Sequence, residues 1–309
     1  MLHIKKASRI NYLRGFCFLI ILIILTTCRT APPIYAEGEQ TEAFTSIQDI
    51  QPKWLIFTGG IGYFQGRTAS PRLEFYALRI DLFSPNTGIV VKAGASDDSG
   101  AVLSAKVSSF VRDNNLAAGI NAVPFDIITT TEGLPIQNMG IVVSDGVQLS
   151  PVNRYYDALV FYKSGVPVRA AIVSQTSIQS IDNIENAVGG FHQILINGEP
   201  AQRTLNNDSR HPRSAAGISQ DGRFLYLLVI DGRRASSAGG TENETAALLA
   251  ALGSHNGINF DGGGSSALAM RYPDGNVKVV NTPVQGLFPG QERAVAGCLG
   301  ITINPSTEK

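Results

Sequence analysis

Ile258-Asn259-Phe260-Asp261-Gly262-Gly263-Gly264-Ser265-Ser266 is the stretch on which the reading of this chain turns. Its apolar start reads as a buried strand that delivers Asp261. Three glycines in a row then carry a high backbone-entropy cost. Chains bear that cost where backbone must approach something closely, or turn where no Cβ fits. Asn259 and Asp261 precede the glycines and the hydroxyls of Ser265 and Ser266 follow them, so the segment predicts a site for a polar ligand. The alternative is a plain glycine-rich turn between two strands.

Working outward, Thr241 to Leu252 is the clearest helix. Thr241 is an N-cap with Glu244 three residues on, a capping box, and Gly253 follows as the terminating residue. Strand signals dominate elsewhere. Leu73 to Phe83 is rich in aromatic and branched residues, Ser84 to Gly88 is a turn, and Ile89 to Val91 resumes the strand. Hairpins are predicted at Asp145-Gly146, Ser164-Gly165, Asp221-Gly222 and Asp274-Gly275, each between apolar runs. Apolar positions at Val102, Leu103, Val107, Phe110 and Val111 predict a helix over 101–114, leading into a strand at 117–121. Strands outnumber helices and few helices alternate with them. The fold class is therefore α+β, built of antiparallel or mixed sheets with a few helices in one large domain.

Several residues carry possible chemistry. Asp261 ends a buried strand, as a catalytic or sugar-holding carboxylate would, or as an Asx-turn residue bonding the glycine amides. Asn259 shares its side-chain direction if the strand is regular. The amides of Gly262, Gly263 and Gly264 would form a nest for a phosphate. Arg213 follows Pro212, whose fixed φ stiffens the chain, so its guanidinium is a candidate for bidentate phosphate binding. Arg233 and Arg293 are further phosphate candidates. His211 is a candidate proton-transfer group, or a satisfied structural histidine. Asp231 ends the Phe224–Ile230 apolar run and would pair with Asp261 as a second carboxylate. A phosphomonoester leaving group departs as a stable anion, so positive charge can replace part of a general acid's work.

The blocks also resemble the phosphodiester glycosidase family. Asn259 to Ser266 is similar to its Asn-Phe-Asp-Gly-Gly-Gly-Ser-Ser signature. Ala118 to Phe125, containing Asn121, is similar to its strand ending in Asn, although Ala122-Val123-Pro124 replaces the usual Gly-Gly-aromatic. His211 to Gly217 resembles its Pro-Arg-Ser/Thr block, Val229 to Arg233 its Asp-Gly-Arg block, and Arg293 its late arginine. The resemblance spans roughly 75–303 in five ordered blocks. It implies a hydrolase acting on a sugar-1-phosphodiester, with Asp261, Asp231 and His211 catalytic. Asn121, Arg213, Arg233, Asn259, Gly262, Gly263, Gly264, Ser265, Ser266 and Arg293 would bind the substrate. A carbohydrate-binding protein without activity and a phosphodiesterase cutting P–O are the competing readings.

The bulk properties narrow the setting. Residues 1–36 form a leader: Lys5, Lys6, Arg9 and Arg14 precede an apolar run from Gly15 to Leu25, with cleavage expected after Ala36. An uncleaved anchor and a lipoprotein with lipid on Cys28 are the alternatives. Each places the remainder outside the cytoplasm, with membrane contact through this segment alone. Residues 37–52 read as a polar tether and 53–309 as the domain. After residue 36 the chain has 20 basic and 25 acidic residues, a net of −5, which argues against a nucleic-acid partner. Cys298 lies in an apolar strand-like run and reads as a core residue, and with the leader removed it has no partner for a disulfide. The absence of a His-Glu-x-x-His or paired Cys-x-x-Cys pattern argues against zinc. No cofactor is indicated, and the sequence leaves a divalent cation near Asp261 open.

Overall fold

The computed structural model describes residues 41–92, 101–285 and 288–303. The leader, with Cys17 and Cys28, lies outside the described residues. Among those described, two α-helices accompany three large sheets. The largest sheet runs in the order Glu42–Phe44, Ile61–Thr68, Leu73–Asp81, Phe224–Ile230, Arg213–Ile218, Asn256–Asn259, His192–Ile196, Glu199–Pro200. Glu42–Phe44 pairs parallel to its neighbour and the other pairings are antiparallel. A five-stranded sheet is ordered Val277–Val279, Leu268–Arg271, Ala118–Val123, Gly297–Ile303, Thr87–Lys92. The other is ordered Val147–Ser150, Val142–Ser144, Ile184–Gly189, Asp157–Tyr162, Arg169–Ser174. The fold is α+β with antiparallel and mixed sheets, as the strand-rich pattern predicts.

The Phe224–Ile230 strand is apolar almost throughout because both faces of its sheet are covered. Leu227 and Val229 face a central core shared by the three sheets, with Ile120, Leu159, Ile258, Phe260 and Leu299. Leu228 and Ile230 face the opposite way, against Leu248, Leu249 and Leu252 of α2 (Glu242–Leu252). α2 starts at the predicted capping box, with Thr241 and Glu244 each accepting the other's main-chain N–H, and stops at Gly253 with φ +111°. The four predicted hairpin turns join the strands expected, and Gly146, Gly165, Gly222 and Gly275 all have positive φ. Cys298 is buried beside α1 (Val107–Asp113), and burial pushes its thiol pKa up.

Two expectations are corrected. The helix predicted over 101–114 covers only Val107–Asp113, because Val102–Leu103 pairs instead with Pro135–Ile136 as a short strand. The polar tether does not hold over residues 42–50. Glu42–Phe44 adds to the large sheet, and Ile47 and Ile50 bury themselves in the α2 core.

Candidate active site

Three separated blocks meet at Pro212. The Gly263 N–H donates to the Pro212 carbonyl at 2.8 Å, and a Cβ on Gly262 would lie 2.8 Å from that same oxygen. A Cβ on Gly232 would lie 2.7 Å from the Pro212 nitrogen. The glycines thus let the Asp231-Gly232-Arg233 and Asp261–Gly264 segments close on the His211-Pro212-Arg213 strand end. Gly263, with φ +64°, turns the chain into a short 3₁₀ turn over Gly263–Ser265. Gly264 leaves room for a neighbour: a Cβ there would lie 2.4 Å from Gln285 Oε1 and 2.5 Å from Arg293 Nη2.

Around this turn stand Asp261, Arg233, Arg293, Ser265 and His211. Asp261 is half-buried. Burial pushes its carboxyl up to about 6, while the Ser265 hydroxyl, the Arg293 charge and the Gly262 amide pull the other way. Arg293 donates from Nη1 to Ser265 Oγ at 3.1 Å, and from Nε and Nη2 to Gln285 Oε1 at 2.9 and 2.7 Å. It is half-buried against Gly264. Arg233 is exposed, holds a left-handed φ of +57°, and its guanidinium lies over Gly263. Its Nη2 is 3.4 Å from His211 Nδ1. Burial, with the charges of Arg213 and Arg233, lowers the His211 pKa, so the imidazole is neutral at pH 7. The combination is one carboxyl, one neutral imidazole and two arginines on either side of a glycine turn.

Other residues expected at the site are placed in the scaffold beneath it. Arg213 is 7% exposed; its Nε donates to Gly240 O and its Nη2 to Ser209 O, both at 3.0 Å, and its Nη1 is 3.7 Å from Glu242. These bonds orient it toward the start of α2, so the expected bidentate phosphate fork is already occupied. Asp231 is 1% exposed and accepts from Thr282 N, Asn281 Nδ2 and Arg234 Nη1. Burial pushes its carboxyl up to about 6 despite those donors. The second carboxylate of the expected pair is therefore enclosed by protein. Asn121, also buried, donates to the Asp261 carbonyl at 2.6 Å and accepts from Ser214 Oγ and Ala267 N. Asn259 and Ser266 are buried, and Asn259 Oδ1 and Ser266 Oγ have no hydrogen-bond partner.

The amide nest is also corrected. The Gly263 amide, which an Asx turn at Asp261 would use, is bonded instead to the Pro212 carbonyl, so the three glycine amides do not converge on one ligand. Ser265 N and Ser266 N donate back to Gly262 O and Gly263 O. Among the described residues no group of three or more His, Cys, Asp or Glu is placed to hold a metal ion. Sequence reasoning missed Gln285, which fixes Arg293, and Asn281, which binds Asp231 and the far end of the glycine turn.

Fold and site together define an α+β protein with a carboxyl and two arginines gathered at a glycine turn, a setting for an anionic polar ligand. The chain belongs to the phosphodiester glycosidase family, whose model matches residues 114–302, more than half of its length. Over 93 residues it is 37% identical to the SPbeta prophage-derived protein YomE of Bacillus subtilis (strain 168), a match covering 30% of this chain and 13% of that protein. A hypothetical protein from Synechocystis has the same fold, with a TM-score of 0.59 at 16% identity, over 82% of this chain and 64% of that one. So does the catalytic domain of zebrafish N-acetylglucosamine-1-phosphodiester alpha-N-acetylglucosaminidase, solved auto-inhibited by its pro-peptide. Its TM-score is 0.55 at 20% identity, over 78% of this chain and 82% of that one.

Proposed function

We propose that this protein is an exported hydrolase that splits the bond between a sugar's anomeric carbon and a phosphodiester oxygen, releasing a sugar and a phosphomonoester. The observation that carries the reading is the half-buried Asp261 carboxyl facing Arg293 across the glycine turn, with Arg233 on the other side. The arginines would hold the phosphate and stabilise the negative charge it gains as the C–O bond breaks. Asp261, ionised above about pH 6, would stabilise the positive charge that develops at the anomeric carbon or orient the attacking water. The neutral His211 can take a proton from that water. Water supplies the hydroxyl to the sugar, and the bridging oxygen leaves with the phosphate. A second carboxylate is not required, because the leaving group is already a stable anion, so the enclosure of Asp231 is consistent with this chemistry.

The rival is a sugar-phosphate-binding protein without turnover. The pull of the Ser265 hydroxyl and the Gly262 amide on the Asp261 carboxyl favours it, because a turn-forming carboxylate would have the same neighbours. The test is a panel of sugar-1-(4-nitrophenyl) phosphodiesters, assayed with and without added phosphatase. The glycosidase reading expects nitrophenyl phosphate, which colours only after phosphatase. Direct release of nitrophenolate would make the protein a phosphodiesterase, and binding without products would leave the rival. Export rests on the leader sequence: the mature protein should begin near Glu37 by N-terminal sequencing. Retention of Arg14 would mean an anchor, and lipid on Cys28 a lipoprotein.

A further inference from the structure

Asn281 belongs to no block that resembles the family, yet its side chain makes three hydrogen bonds around the glycine turn. It is 7% exposed. Its Nδ2 donates to Ser266 O at 3.0 Å and to Asp231 Oδ1 at 3.2 Å, and its Oδ1 accepts from Leu268 N at 2.9 Å. Asn121 spans the turn, donating to the carbonyl of Asp261 and accepting from the amide of Ala267. The segment from Asp261 to Leu268 is thus clasped by two buried amides: Asn121 ties its two ends together and Asn281 holds its far end.

The two clasps differ in what lies behind them. Asn121 leans on a neutral hydroxyl, that of Ser214. Asn281 leans on a carboxylate that is itself fixed. Asp231 accepts from the Thr282 amide at 3.0 Å, its own amide donates to Glu74 O, and its carbonyl accepts from Ser237 Oγ. The charged and titratable groups facing it are Arg234, Glu74 and Tyr76. Only an amide can meet the demand at position 281. It must donate to a carbonyl and a carboxylate while accepting from an N–H. An apolar residue of that shape would take away the bonds of the buried Ser266 carbonyl and Leu268 amide and one of those to Asp231, and Asp would set two carboxyls against each other.

We propose that Asn281 is a positioning residue for Asp261, holding the glycine turn in register against the fixed Asp231 carboxylate. This rests on Asp261 being the reacting group of the proposed hydrolase. Asp231 then serves as a base plate for the turn and not as a second catalytic carboxylate. The clasp fixes where Asp261 and the Ser265 hydroxyl stand relative to Arg293. A turn released at Ser266 would keep its composition but lose that geometry and admit water to the Asp261 carboxyl.

The test compares wild type with Asn281→Ala by NMR, following the titration of the Asp261 carboxyl carbon and the hydrogen exchange of the Leu268 amide. The signal of Asp261 is assigned by its loss in Asp261→Asn. In Asn281→Ala the Asp261 midpoint should move down toward ordinary carboxylates, and Leu268 should exchange at least about 10-fold faster while the Ile230 amide keeps its rate. On a sugar phosphodiester, kcat should fall about 10-fold or more with KM within about twofold. An unchanged Asp261 midpoint and unchanged Leu268 exchange in the folded variant would overturn the proposal. Should Asn281→Ala fail to fold, Asn281→Asp and the double variant Asp231→Asn/Asn281→Asp replace it. The double variant restores one amide–carboxylate pair with the roles reversed, so it should recover part of the Leu268 protection that Asn281→Asp loses. No recovery would count against the clasp. If wild type cleaves nothing, the hydrolase reading fails and the NMR titration still decides the clasp. If it cleaves and the variants change neither titration nor kcat, the clasp fails and the hydrolase reading stands.

Discussion

Gly264→Ala separates the function of the glycine turn from its folding. The new Cβ would lie 2.4 Å from Gln285 Oε1, 2.5 Å from Arg293 Nη2 and 3.0 Å from Arg293 Cζ. Carbon atoms do not tolerate such approaches, so something must move. The atoms in the way are the far ends of two long side chains, so the turn survives and the folding cost stays at about 1 kcal/mol, the low end for overpacking. For a domain of this size that is roughly 2–4 °C in Tm. Arg293 and Gln285 are pushed aside together and keep their bonds to each other, but Arg293 leaves Ser265 and its place beside Asp261, and with it a charge-assisted bond to the substrate phosphate. A charge-assisted hydrogen bond is worth about 1.5–3 kcal/mol, so kcat/KM should fall about 10- to 100-fold. Gly262→Ala is the control. Its Cβ would meet the main-chain oxygen of Pro212 at 2.8 Å, which cannot step aside, so it should cost more stability than Gly264→Ala. Melting temperature and turnover of a sugar phosphodiester, measured on the same preparations, decide the matter. Full activity in Gly264→Ala would mean that the position of Arg293 against the turn does not matter.

Three further outcomes follow from the same geometry. Asp261→Asn should lower kcat about 100-fold or more, yet leave Tm at pH 7 unchanged or higher, since its carboxyl is raised to about 6 by burial and its charge opposes folding. Asp231 and Asp261 both have folded pKa values near 6, above the unfolded value of about 3.9. The native state therefore holds more protons across that window, and stability should fall as pH rises from about 4 to 6 and then level off. Urea unfolding at several pH values checks this, and Asp231→Asn should flatten the slope; a slope of opposite sign would contradict it. Arg213→Lys should lose the two bonds to Ser209 O and Gly240 O and destabilise by about 2 kcal/mol, with KM changed less than about twofold; a large KM effect would return Arg213 to the phosphate.

Much of the fold can be read from local chemistry. The capping box at Thr241 and Glu244, the hairpin glycines and the apolar Phe224–Ile230 run each state their conformation within a few residues. The glycine turn is legible too, although the neighbours its glycines admit are the protein's own Pro212, Arg233 and Arg293. What the sequence hides is where side chains go once strands pair. Asp231 and Asp261 look alike, each a carboxylate after an apolar strand. They differ because the segment at Asn281 and Thr282 closes over one and not over the other. Pro212 stiffens the chain at Arg213 but does not aim its side chain, which the start of α2 captures. Asn281 has no local signal, since its partners at Asp231, Ser266 and Leu268 come from two distant parts of the chain. Ile47 and Ile50, three apart in a polar stretch, were the available hint that residues 42–50 join the core.

Hydrolysis of a sugar-1-phosphodiester in oxygen-18 water, with mass analysis of both products, shows which bond breaks. Cleavage of the C–O bond, as proposed for Asp261, Arg233 and Arg293, places the label on the sugar and leaves the phosphomonoester unlabelled. Label on the phosphate with none on the sugar would show that the P–O bond breaks, and would contradict the account.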